Sequence, residues 1–264
     1  MTTLIYLVLY AGGIVFLAGA IVRAIGYARQ PIHLRWEIYP VPQGHGGELK
    51  VMIPEILFLK GLWEFNRSLW CLSYPFHGGL YLVIAGGALA ALNLTSLAGA
   101  VGVAGLALVL AGSLGLLIRR LTTRTLRIYT AGGDILNLVW FAATAVLLLA
   151  GWVTLPPGTP GPIAILRGAL SFDNGVAVSP LLAAGFISGA ALIAYIPMTH
   201  MSHFVAKYFT YHAVRWDERA AGCVASRMAE YLTYRPTWSA PHIEANGERS
   251  WAEIATSAPK GGGK

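Results

Sequence analysis

The sequence predicts an all-α membrane protein of five transmembrane helices, and three observations carry that reading. Hydrophobic residues make up 56% of the 264 and charged residues only 12%, about half the roughly 25% charge of an ordinary soluble domain. Mean hydropathy is +0.59. Five apolar runs, 4–25, 69–92, 97–118, 135–153 and 180–204, each approach the roughly 20 residues that a helix needs to cross about 30 Å of hydrocarbon. Lysine and arginine fall almost wholly on one side of these runs, which is the signature of a fixed membrane orientation.

The first run is too long for the h-region of a signal peptide and has no basic n-region before it, so it reads as a retained helix. The segment 27–68 that follows holds Arg29, Arg35, Lys50, Lys60 and Arg67. Within it, the stretch from His33 to Pro42 is proline-bounded and expected to be extended, because residues before proline avoid the helical region. Pro54 and Glu55 then give a helix-start signal, opening an aromatic and aliphatic helix over 54–65 that is expected to lie on the membrane surface or to meet a partner.

Runs two and three are separated only by Asn93-Leu-Thr-Ser96, so they form a tight helical hairpin. Gly86, Gly87, Gly99, Gly102, Gly105, Gly112 and Gly115 give that hairpin faces for close helix contact, and some of them have the alternative use of making room for a flat macrocycle. The loop after run three holds Arg119, Arg120, Arg124 and Arg127, and the tail after run five holds Lys207, Arg215 and Arg219, whereas loop 155–179 on the other side has Arg167 alone. This asymmetry predicts an outside N-terminus, with 27–68 and the C-terminal tail in the cytoplasm. Domain organisation follows: residues 1–210 form the transmembrane unit and 211–264 a polar tail, too short for a core of its own and ordered where a partner holds it. The formal net charge of +7 is then mainly a topology signal. No basic stripe interleaved with aromatics on a soluble fold exists to suggest nucleic acid. Cys71 and Cys223 form no CxxC or ferredoxin spacing, so the chain is not expected to hold its own iron–sulfur cluster.

Seven histidines are present. His33, His45, His212 and His242 fall outside the membrane by this topology, where solvated or interface roles are the default. His77, His200 and His203 fall within or beside apolar runs, where an imidazole is costly and usually functional. His77 lies eight residues into run two, roughly 12 Å from its start at about 1.5 Å per residue. His203 closes run five, which travels in the opposite direction, so the two rings reach the same half of the bilayer on antiparallel helices. Depth agreement is what axial ligation of one haem iron from both sides requires. The alternative is a pair of buried histidines bonded to neighbouring backbone or Ser/Thr groups. Pro197 loosens the ladder just upstream. Met198 and Met201 are possible axial ligands chemically, but methionine in apolar helices is more often packing.

At these residues the chain resembles the five-helix cytochrome b membrane subunits typified by the gamma subunit of respiratory nitrate reductase. The matching elements are Phe76-His77-Gly78 early in run two and Pro197-x-Thr199-x-x-x-His203 at the end of run five. It is similar in particular to the branch found in sulfate-reducer-type transmembrane complexes, through His-Leu-Arg-Trp-Glu-Ile-Tyr-Pro at 33–40 and Thr-His-Met-Ser-His-Phe-Val-Ala-Lys-Tyr-Phe at 199–209. The likeness covers residues 1 to about 220. It implies haem b with His77 and His203 as axial ligands, and electron exchange with menaquinone or another membrane quinone. It also implies a cytoplasmic iron–sulfur partner resembling the catalytic subunit of heterodisulfide reductase. His200 and His203, three apart, share a helix face only partly, which leaves open which of them ligates iron and which meets a propionate or quinone oxygen; Lys207 is a further candidate for that vicinity. Two-haem members of the family carry a further histidine about ten residues on in helix two and another well upstream in helix five. Gly87 and Gly185 stand at those places here, so one haem is expected. The expected function is a redox subunit of the cytoplasmic membrane whose partner performs the substrate chemistry. The competing class is a haem-free anchor or small transporter whose histidines bind protons or a metal, against which stands the scarcity of membrane carboxylates of the kind that proton relays use.

Overall fold

Hydrocarbon offers no water to unpaired backbone groups, so an apolar chain must satisfy its N–H and C=O groups internally. The computed structural model describes residues 1–30, 42, 44–216, 229–237 and 247–256, and among them the regular structure is helical, with no strand. The chain divides into two compact units, Met1–Tyr27 with Pro42–Val205, and Ala28–Val41 with Ala206–Lys264.

The first unit contains α1 (Thr2–Ala28), α2 (Gly44–Leu57), α3 (Lys60–Phe65), α4 (Arg67–Ala91), α5 (Thr95–Thr122), α6 (Arg124–Ile128), α7 (Gly132–Val153), α8 (Pro162–Ser171) and α9 (Pro180–Tyr195). Four helices are long and apolar enough to cross a membrane: α1, α5, α7, and α9 with the turn that extends it to Met198. The protein is therefore a multi-pass, membrane-embedded chain. Helix α4 has 25 residues, but Ser68, Ser73, Tyr74, Pro75 and His77 make its first half more polar than the other four.

Glycines set the helix contacts. A Cβ on Gly79 would lie 2.6 Å from the Val109 nitrogen, one on Gly105 2.8 Å from the Gly79 carbonyl oxygen, and one on Gly112 2.5 Å from the Phe76 nitrogen. Helices α4 and α5 thus meet backbone to backbone, which only bare Cα atoms permit. The same device joins α1 to α9, where Gly12 faces Ala190 and Gly19 faces Pro197, and α7 to α9, where Gly151 faces Leu182. Gly87 and Gly102 have nothing within 4 Å of an added Cβ. Two cores result. One gathers Ile5, Tyr6, Ile165, Leu182 and Phe186 near α8. The other gathers Phe76, Val109, Phe141, Ala145 and Leu192 from four helices.

Three local expectations are resolved. The hairpin at 93–96 forms, with Asn93 in the left-handed region at φ 63° and the Leu94 N–H donating to the Leu89 carbonyl. Pro54 does not start the surface helix: it lies inside α2, which begins at Gly44. Its ring fixes a helical φ and forfeits only one hydrogen bond, so the helix runs through it and breaks instead at Leu59, at φ 52°. Glu55 reaches across this break and accepts from the Gly61 N–H at 2.8 Å. Run five is not one helix either. After α9 come two 3₁₀ turns, Ile196–Met198 and His200–Ser202, and then α10 (His203–Phe209). Pro197 has no N–H to continue the ladder, and Thr199 is extended. The stretch 33–41, with Arg35, and Cys223, Arg219 and His242 lie outside the described residues.

In the second unit, π-helical backbone at Thr210–Arg215 follows α10, and α11 (Trp251–Thr256) stands near the end of the described chain. Ser250 and Glu253 cap α11 reciprocally, Glu253 accepting from the Ser250 N–H at 2.7 Å and Ser250 Oγ from the Glu253 N–H at 3.4 Å. The bonds that its carboxylate accepts from the Ser250 N–H and hydroxyl hold the Glu253 carboxyl below the usual range.

Replacing Gly112 by Val forces apart the backbone contact with Phe76 and is expected to cost about 2 kcal/mol or more, as overpacking does. Gly87→Ala, facing open space, is expected to stay within about 0.5 kcal/mol. Thermal unfolding in detergent distinguishes the two.

Candidate functional site

The polar half of α4 and the broken end of α9 bring two imidazoles together. The His77 and His203 ring centroids are 6.0 Å apart, with planes inclined by 72°. Two imidazoles sharing one metal atom from opposite sides would have centroids about 6.3 Å apart, since each metal–nitrogen bond is about 2.0–2.1 Å and each nitrogen lies about 1.1 Å from its ring centre. The spacing is therefore that of a pair able to hold one metal atom between them.

Each ring is oriented through Nδ1. His77 Nδ1 donates to the Ser73 carbonyl at 2.8 Å, with Ser73 Oγ at 3.3 Å. His203 Nδ1 lies 3.4 Å from the His200 carbonyl. A carbonyl only accepts, so these contacts place the proton on Nδ1 and leave Nε2 with its lone pair, which is how metal-binding histidines are usually prepared. His77 thus has the backbone partner that a buried imidazole needs, while His203, which is exposed, makes the longer contact. Phe76 buttresses the pair, edge-on to His77 at 5.4 Å and to Phe141 at 4.9 Å. Gly78, the next residue in the chain, has nothing within 4 Å of an added Cβ. His77 is half-buried and His203 exposed, so the site opens at the surface of this unit.

Thr199 builds the turn that delivers His203. Its Oγ1 donates to the Ile196 carbonyl at 3.0 Å and accepts from the Met201 N–H at 3.1 Å, while its carbonyl accepts from Ser202 Oγ at 2.8 Å. The spacing Pro197-x-Thr199-x-x-x-His203 is thereby explained: proline ends one ladder, threonine ties the turn, and the histidine opens the next helix. Met201 packs against the Phe76 core, and Met198 is exposed.

His200 turns elsewhere. Its Nε2 lies 3.2 Å from Asp134 Oδ1, while Asp134 Oδ2 accepts from Arg120 at 3.3 Å and from the Ala131 N–H at 3.0 Å. This Arg120–Asp134–His200 network joins α5, the first turn of α7 and the 3₁₀ turn. In the sequence Asp134 shows only as an acidic residue at the start of an apolar run. The available signal was a single carboxylate set among four arginines. Asn137, one turn further along α7, is 96% buried by its 4% exposure, and its Oδ1 has no hydrogen-bond partner among the described residues. A water or a ligand hydroxyl is the donor that such an acceptor takes up.

In the second unit, the Lys207 ammonium lies over the Tyr211 ring at 5.7 Å, and His212 stacks on Tyr208 at 4.1 Å. His45 pairs with Glu48 at 3.1 Å. His33 lies outside the described residues, as does His242. At the place of the absent further histidine in run five, Gly185 is filled in by Leu148, whose Cδ2 would lie 2.7 Å from an added Cβ. Cys71 is an exposed free thiol. Compared with models of known protein families and with curated proteins, the chain matches none.

Asp134→Ala removes the charge partner of Arg120 and His200 together with the acceptor for the Ala131 N–H. The expected loss is about 1–2 kcal/mol, typical of a helix-start cap with a partly buried ion pair, read as a lowered unfolding temperature in detergent.

Proposed function

We propose that this chain is a b-type cytochrome subunit of a respiratory oxidoreductase complex, relaying electrons through one haem b between membrane quinone or quinol and a cytoplasmic iron–sulfur subunit. The observation that carries the reading is the His77–His203 pair, 6.0 Å apart and tethered through Nδ1. A metal held by side chains alone needs three or four ligands, and among the described residues no cluster of three or more His, Cys, Asp or Glu exists. A porphyrin would bring four nitrogens of its own and would need only His77 and His203 from the protein.

Bound there, haem iron supplies one-electron transfer at a potential tuned by its surroundings. The chain supplies the rest. Ser73 and His200 carbonyls hold the imidazoles in the tautomer that presents Nε2 and raise their basicity. Phe76 and Phe141 exclude water on the core side, and Gly78 leaves space beside His77. His200, held by Asp134, is assigned to the propionate or quinone vicinity. Helix α4 is the fifth span, accepted into the membrane because its polar half packs against α5 and serves the site. The arginine-rich end of the bundle faces the cytoplasm and the N-terminus faces outward across the inner membrane. The partner, resembling the catalytic subunit of heterodisulfide reductase, docks on the 27–68 segment and the tail and carries out the substrate chemistry. One haem is proposed, because Gly87 and Gly185 offer no second axial pair.

The competing reading, a haem-free anchor or transporter, is separated by an optical spectrum of the purified complex. The reduced wild-type protein should show a b-type band and one haem per chain by pyridine haemochrome. His77→Ala and His203→Ala are each expected to lower haem content by roughly tenfold or more, as loss of a metal ligand does, while insertion stays normal. Spectra unchanged in both variants, or two haems per chain, would refute the assignment.

A further inference from the structure

The last turn of α5 and the short α6 carry more positive charge than the described residues balance. Arg119, Arg120, Arg124 and Arg127 fall within nine residues. Among the described residues, Asp134 is the only carboxylate in an ion pair with any of them, and it takes Arg120. Arg119 reaches across to α4, donating to Ser68 Oγ at 3.1 Å, which is a neutral partner and leaves the remaining N–H groups of its fork available.

Beneath Arg119 a groove of about 470 Å³ runs between α4 and α5, lined by Leu72, Gly115, Ile118, Arg119, Thr122 and Thr123. Its two ends differ in chemistry. Leu72, Gly115 and Ile118 form an apolar floor, in which Leu72 packs onto the bare Cα of Gly115; a Cβ there would meet Leu72 Cδ2 at 2.8 Å. At the other end stand the Arg119 guanidinium and the Thr122 and Thr123 hydroxyls. Thr122 Oγ1 donates to the Ile118 carbonyl and keeps its lone pairs. Thr123 Oγ1 has no bonded partner among the described residues.

We propose that this groove binds an anionic phospholipid, with the phosphate on Arg119 and the threonine hydroxyls and an acyl chain along Leu72, Gly115 and Ile118. Charge and shape select that occupant. An apolar floor at membrane depth takes a hydrocarbon chain, and a fork of N–H donors at its mouth takes a phosphate bidentately. Basic pockets between transmembrane helices are where acidic lipid headgroups settle. A zwitterionic lipid offers the same chain but adds a cation beside Arg119 and Arg124, which like-charge repulsion disfavours. The inference rests on the proposed reading of α4 as a membrane span and is independent of the haem.

The test is native mass spectrometry of the full chain released from nanodiscs containing equal phosphatidylglycerol and phosphatidylcholine. The wild type is expected to retain one phosphatidylglycerol with about tenfold preference, because both lipids offer the phosphate and only phosphatidylcholine sets a cation against the arginines. Arg119→Gln should abolish the preference and Arg167→Gln, at the opposite end, should leave it intact. Ile118→Trp, which fills the groove and keeps every arginine, should also lose the lipid, and it covers the case in which Arg119→Gln fails to insert. Equal retention of both lipids overturns the proposal. So does displacement by millimolar inorganic phosphate, which would mark a free-anion site. Arg119→Gln shedding a co-purifying protein subunit at unchanged lipid preference would assign the patch to protein docking and equally overturn it.

Discussion

The bare Cα of Gly112 against the backbone of Phe76 is the contact on which the rest of the bundle depends. Helices in hydrocarbon gain nothing from hiding apolar surface, so they associate through close van der Waals packing, and small residues set how close the backbones come. Gly79, Gly105 and Gly112 bring α4 onto α5 along most of its length. That closeness lets a helix with a polar first half sit in a bundle whose other long members are uniformly apolar. It also fixes the rotation of α4: with Phe76 pressed into the four-helix core, the next residue, His77, stands at the core's edge.

The partner imidazole arrives by the opposite route. Where α4 is held by continuous contact, α9 is interrupted. Pro197 removes a donor and Thr199 reties the chain into a second 3₁₀ turn, so His203 begins a new helix rather than extending the old one. Gly19 against Pro197 and the bond from Arg23 to the Pro197 carbonyl at 2.9 Å anchor this break to α1. A rigid side and a turned side then meet at two rings. Each is bonded through one nitrogen and leaves the other for a ligand, which is the division of labour expected of a site prepared by backbone carbonyls.

Charge is arranged with the same economy. One carboxylate, Asp134, stabilises the start of α7, neutralises Arg120 and holds His200, all through its two oxygens. Arg119 is left facing an apolar groove with only neutral oxygens around it. Of the four arginines between 119 and 127, Arg120 is thereby satisfied by a carboxylate and Arg119 is offered to the surroundings.

Composition and run length alone determined that the chain is helical and membrane-embedded, because burying backbone in hydrocarbon leaves few alternatives. The histidines at 77 and 203 were legible as a pair because helix rise converts residue number into depth. The glycine faces were legible as contacts because nothing else permits such approach. Tertiary structure alone decided the rest. Sequence could not show that Pro54 sits inside α2, since a proline within a helix and one at its start share the same φ. Nor could it show that run five breaks into turns, because the choice rests on Thr199 finding partners at Ile196, Met201 and Ser202. The Asp134 network joins residues 120, 134 and 200, and the groove under Arg119 joins residues 72 and 118. Such sites depend on which faces two helices turn toward each other, and that is set by packing rather than by the spacing of residues along the chain.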